Sequence, residues 1–339
     1  MDELKKRNHY VPRMYIRQWS GDGNRVHVYR LLVSSERVPL WKLASIKGIA
    51  RREHLYTRIV GGDQSDEFER WIEAEFETPA AGPFEAAVEG KKLSKNDWWS
   101  LVRFLAAQDV RTPARLLEGL KRWNETIPQM IQETTEAATR MLEEGNLPRR
   151  KHSVSPLAYS DLLPIRVSTQ PNVEGEGGNL RVEMDIGRGI WLFQMKHLLT
   201  RTAEILHSHR WSIMVPPDDI EWISSDDPVI KLNYHSEKRF DFGGGWASAG
   251  TEIMMPLSPK RLMYTRVGYK QRAREVHVTR HQAQLINQMI ARHAHRAIFS
   301  TRAQEDICSF RPRRIDPVMD DLEKLQWSKW AALGSGLAT

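Results

Sequence analysis

S-K-N-D-W-W-S-L-V-R-F-L-A-A-Q-D-V-R-T-P, residues 94–113, is the stretch that decides the fold. Ser94 stands three residues before Asp97, the spacing of a capping box that satisfies the first orphan amides of a helix. Trp98, Leu101, Val102, Leu105 and Ala106 then recur at helical spacing, which predicts a buried helix face over 97–108. Pro113 predicts a kink or a restart, because proline has no N–H and collides with the preceding turn. Upstream, Phe68, Ile72 and Phe76 recur at every fourth position, with Glu69, Glu73 and Glu77 on the adjoining stripe. A helix is therefore expected from about residue 64, broken at Pro79 or Pro83. Downstream, helices are expected over 115–144, closed by Gly145-Asn146, and over 190–209. A last helix is expected over 279–300, with Thr279 as N-cap and Met289, Ile290, Ala297 and Ile298 turned inward. Between 147 and 189, Pro148, Pro156, Pro164, Pro171 and a Gly-rich run predict a loop or lid.

The flanks change period. R-V-H-V-Y-R-L-L (25–32) alternates behind a Gly21-Asp22-Gly23-Asn24 turn, so a strand is expected there. Short strands are also expected at 211–215, 221–224, 229–232, 252–255 and 261–267, each bounded by Pro, Gly or Asp. Gly243-Gly244-Gly245 reads as a hairpin loop. Strands and helices that segregate along the chain argue for α+β. The expected architecture is a helical layer (about 64–209) packed against a mainly antiparallel sheet. That sheet is built from the N-terminal strand and the strand-rich part (about 210–300). A single domain over 1–310 is expected, followed by a basic, helical tail over 311–339.

The chain has 339 residues, 40% hydrophobic and 27% charged, enough apolar material for a sizeable core. Its net charge of +7 is modest for this length and permits nucleic acid as a partner without requiring it. A single cysteine, Cys308, excludes a disulfide framework within the chain and a cysteine-rich zinc site. No apolar run approaches a membrane span. M-D-E-L-K-K-R-N-H-Y lacks the apolar segment of a secretory signal, so a cytoplasmic protein with no membrane partner is expected. Phosphate-binding glycine loops, a G-x-S-x-G elbow and H-E-x-x-H are all missing.

Four ordered motifs carry a resemblance. They are N-H-Y-V-P-R-M-Y-I-R-Q-W (8–19), A-Q-D-V-R-T-P (107–113), W-I-S-S-D-D-P-V (222–229), and P-L-S-P (256–259) followed by Asn287. Together they resemble the domain-of-unknown-function 4238 family over roughly residues 8–301. The family more often has Asn at the position of Asp227. The resemblance implies where a site lies and no activity, since the family is known chiefly as uncharacterised.

The candidate site follows from these motifs. His9 is a side chain able to move a proton near neutral pH or to ligate a metal; alternatively it pins the N-terminal segment. Gln108 and Arg111, three apart, share a helix side. Arg111 suits a phosphate or carboxylate, or else caps the broken turn. Asp226 and Asp227 sit between strands, where carboxylates serve as metal ligands or a base, or simply make a turn. Glu73 and Glu77 read first as a solvated stripe. His293 and His295, two apart, point about 200° away from each other on a helix, which is poor for a shared metal. The leading expectation is a phosphodiester hydrolase on nucleic acid. In it Asp226 and Asp227 hold a divalent metal, His9, Arg111 and Asp226 are catalytic, and Tyr10, Gln108 and Asn287 bind substrate. The alternative is a non-enzymatic binding protein whose same residues form a structural polar network.

Overall fold

The computed structural model describes residues 4–60, 63–145, 165–171, 178–184, 186–270 and 273–334. The chain divides into two compact units, one of residues 1–112 with 199–339 and one of 113–198. The architecture is α+β, as the segregated pattern predicts. In the first unit a six-stranded sheet runs in the order Arg239–Asp241, Ile230–Ser236, Glu252–Ser258, Arg261–Arg266, Ser212–Val215, Glu275–His277. Its pairings are antiparallel except the last. A four-stranded sheet joins the two ends of the sequence: Ser224–Ser225, Ala297–Ser300, Arg25–Arg30, Trp41–Ser45. The expected N-terminal strand thus pairs with the C-terminal third, but in a second sheet rather than in the larger one. Trp222, Ile230, Met254, Leu262, Met289, Ile290 and Ile298 share one buried apolar cluster that spans both sheets and the helix Arg280–His293.

Lys95–Val110 forms as the sequence predicts. Ser94 accepts from the Asp97 amide and the Asp97 carboxylate takes the Ser94 amide, completing the capping box. The upstream helix starts at Glu67, after a hairpin of Arg58–Val60 with Asp63–Ser65. Its end widens to a π-turn over Glu73–Glu77, where the Thr78 amide reaches back five residues to Glu73. A strict four-residue repeat drifts around a 3.6-residue helix. Widening the turn removes that drift and keeps Phe68, Ile72 and Phe76 buried together.

The expected 279–300 helix is corrected. Thr279 caps it with a full capping box, but it ends at His293 because Ala294 turns extended (ψ 135°). Ala297–Ser300 is a strand paired with Arg25–Arg30, so Ala297 and Ile298 pack from a sheet and not from a helix. The apolar residues A-I-F there fit a pleated surface as well as a helix turn, and periodicity does not separate the two. The described residues beyond 310 belong to the first unit. Arg314–Ile315 pairs in parallel with Leu32–Val33, and Glu323 of the helix Pro317–Gly334 bonds Arg296.

The second unit holds the long helix Pro113–Glu143, the helix Arg188–His197 and a hairpin of Ile165–Pro171 with Gly178–Met184. That hairpin falls inside the stretch read as a loop or lid. The rest of that stretch up to residue 185 lies outside the described residues. Among the described residues, no helix is long and apolar enough to cross a membrane.

Candidate functional site

The end of the helix Lys95–Val110 is a polar hub. Gln108 Nε2 and Arg111 Nε both donate to the Tyr10 carbonyl, at 2.6 and 3.0 Å. Arg111 Nη1 donates to Glu77 Oε1 at 2.5 Å, and the Arg111 carbonyl accepts from the Tyr56 hydroxyl at 2.7 Å. Asp109 takes Lys231 Nζ on both oxygens, at 2.8 and 2.7 Å, and Trp246 Nε1 at 2.7 Å. Thr112 donates to Asp227 Oδ1 at 2.8 Å. The glycine run helps bring Trp246 in. The Gly244 amide bonds the Lys231 carbonyl, and a Cβ at Gly244 would meet Thr251 Cγ2 at 2.5 Å.

The other motifs lock to one another in the same way. Trp19 Nε1 donates to the Trp222 carbonyl at 2.8 Å, and the Tyr15 hydroxyl lies 2.7 Å from Ser224 Oγ. The Trp222 amide bonds the Pro259 carbonyl at 2.8 Å. Asn287 accepts from the Ile223 amide and donates to the Glu221 carbonyl, so it braces the chain entering the aspartate turn. Asp226 accepts from the backbone amides of His295 and Arg296, at 3.1 and 2.9 Å, while its own amide bonds Ala297. His293 Nε2 stands 3.7 Å from Asp227 Oδ2, and its Nδ1 lies 3.1 Å from the Asp227 carbonyl.

Tyr10, Gln108, Arg111, Asp226, Asp227 and Asn287 are thus all buried. Tyr10, Gln108 and Arg111 meet directly, and Thr112 links them to Asp227. Asn287 joins them only through the strand it braces. His9 lies on the strand Arg7–His9, paired with Arg51–Glu53. Burial, Arg13 and Arg51 lower its pKa, while Glu77 and a bond to the Lys47 backbone pull the other way. Among the described residues its buried Nε2 has no partner, and neither have Gln108 Oε1, Arg111 Nη2 and Glu69 Oε2. Burial pushes Glu69 up to about 7 against the pull of Arg111, with Glu77 adding to the rise. Burial also raises Asp226 and lowers His295, and each partly offsets the other's shift. Among the described residues, no group of three or more His, Cys, Asp or Glu converges to hold a metal ion.

Sequence reasoning missed Glu69, Tyr56, Asp109 and the two histidines. Asp109 stood inside a quoted motif. Glu69 looked like one more member of a solvated stripe. His293 and His295 point apart only if one helix carries both. Because the helix ends at His293, both histidines approach the aspartate pair.

Tyr10 and Asp226 also line a cavity of about 220 Å³, with Arg51, Arg52, Arg296 and Trp327 among its other walls. Compared with known proteins, the chain matches the model of a family described as a protein of unknown function, DUF4238, over residues 7–304. No curated protein and no solved structure matches it.

Proposed function

The chain belongs to the DUF4238 family of proteins of unknown function, and from its site we propose that it is a non-enzymatic binding protein whose motif residues form a structural network. One observation carries this reading: the motifs direct their buried polar groups at backbone groups, some of one another and some of the segments beside them. Gln108 and Arg111 hold the Tyr10 carbonyl, Asp226 holds the amides of 295 and 296, and Asn287 holds Glu221 and Ile223. Buried groups satisfied in this way fix a unique arrangement. Removing one partner leaves the other desolvated and unmet.

A different observation favours the competing reading, a metal-dependent phosphodiester hydrolase of nucleic acid with His9, Arg111 and Asp226 as its catalytic groups. His9, Gln108, Arg111 and Glu69 each carry a buried polar atom with no partner among the described residues, and burial raises the Glu69 carboxyl to about 7 against the pull of Arg111, which is how catalytic groups are often set. Arg111→Met separates the two. The network reading expects a stability loss of about 3 kcal/mol, since a buried cation is removed from its pair. It also expects no cleavage of DNA or RNA by the wild-type protein with added Mg²⁺. Metal-dependent cleavage that Arg111→Met abolishes without loss of stability would overturn it.

A further inference from the structure

We propose that the cavity between the four-stranded sheet and the C-terminal helix binds a small organic oxyanion, through a phosphate or carboxylate group. The inference rests on the reading of a binding protein and names what it binds. Its walls come from the 48–52 segment, Val28, Phe299 and the helix Pro317–Gly334.

Two buried donors on these walls have no partner among the described residues: Arg52 Nε and Trp327 Nε1. Both atoms are closed off from a water-sized probe, so they belong to the wall, and the lining's accessible cations are what an anion would meet. Arg52 is already fixed. Its guanidinium lies 4.7 Å from the Trp327 ring centroid, and its Nη2 stands 3.5 Å from Glu323. The Arg52 and Trp327 side chains are therefore held together as a wall before any ligand arrives, which lowers the ordering needed on binding.

Charge points the same way. The lining carries the cations Arg30, Arg51, Arg52, Arg296 and Lys324 and the carboxylates Asp226, Asp320 and Glu323, an excess of two positive charges. Each carboxylate is engaged. Asp226 takes backbone amides, Asp320 faces Arg30 and Lys324 at 3.5 and 2.6 Å, and Glu323 faces Arg52 and Arg296. Arg51 has no ion pair among the described residues. A guanidinium of this kind matches the geometry of a carboxylate or phosphate. The volume of about 220 Å³ is below that of pockets for drug-sized ligands, and the apolar wall of Val28, Ile49 and Phe299 suits a compact body behind the anionic group.

The test is calorimetric titration of the full chain with inorganic phosphate and with acetate, at ionic strength matched with chloride. Saturable one-to-one binding of either anion is expected, and which of the two binds tells a phosphate ligand from a carboxylate one. Arg51→Gln should weaken binding at least tenfold. Lys324→Gln, which removes a second cation from the lining, should weaken it severalfold. Unfolding curves without anion should match wild type for Arg51→Gln. Binding no better than chloride, or unchanged in both variants, would overturn the proposal. That result would leave the network reading standing, because the stability measurements that judge the network involve no anion.

Discussion

Replacing Glu69 with Gln should remove a defined part of the protein's pH dependence. Glu69 carries a buried oxygen with no partner among the described residues, and burial raises its pKa from 4.5 to about 7 even though Arg111 opposes the rise. A carboxyl whose folded pKa lies above its unfolded value binds its proton more tightly in the native state. Its contribution to stability is full below about 4.5 and is lost as the pH rises through about 7. The distance from 4.5 to about 7 sets the loss at about 3 kcal/mol. Gln mimics the protonated acid and does not titrate. Urea unfolding followed by tryptophan fluorescence, at intervals from pH 4.5 to 8, should therefore give a wild-type stability that declines relative to Glu69→Gln. The gap should open through this window and level off above it. Parallel curves for the two proteins would refute the account of Glu69. A gap that widens toward acid would mean that Glu69 is held ionised, with Arg111 dominating burial.

Other substitutions should respond in proportion to the bonds they remove. Ser94→Ala breaks a complete capping box and should cost about 1 kcal/mol in denaturant unfolding. Tyr56→Phe removes the hydroxyl that meets the Arg111 carbonyl in the interior and should cost about 1 kcal/mol by the same measurement. Asn287→Ala leaves the Ile223 amide and the Glu221 carbonyl without their partner. It should cost about 2 kcal/mol, and amide exchange at Ile223 should quicken.

Much of the fold was legible because its signals are local. The capping box at Ser94, the N-cap at Thr279, the restart at Pro113 and the strand over 25–30 follow from side-chain chemistry within a few residues. What was not legible depends on partners far along the chain. Ala297–Ser300 becomes a strand because Arg25–Arg30 offers it an open edge, which no local period reveals. The π-turn at Glu73–Glu77 was half visible. The four-residue repeat was there, but the widened turn that makes it work also carries Glu77 to Arg111 and ties an apparent surface stripe to a buried arginine. For the site, the residues were found and their use was not. Asp226 looks the same in sequence whether its oxygens meet a cation or the amides of 295 and 296. Only the end of the helix at His293 brings those amides round.

Asp226 therefore offers the most direct trial of the network. Asp226→Ala removes the acceptor for two backbone amides at the junction of helix and strand. Its unfolding free energy, measured in urea at neutral pH, should fall by at least about 2 kcal/mol. A variant as stable as wild type, or more stable, would contradict a structural role and favour a strained catalytic carboxylate in its place.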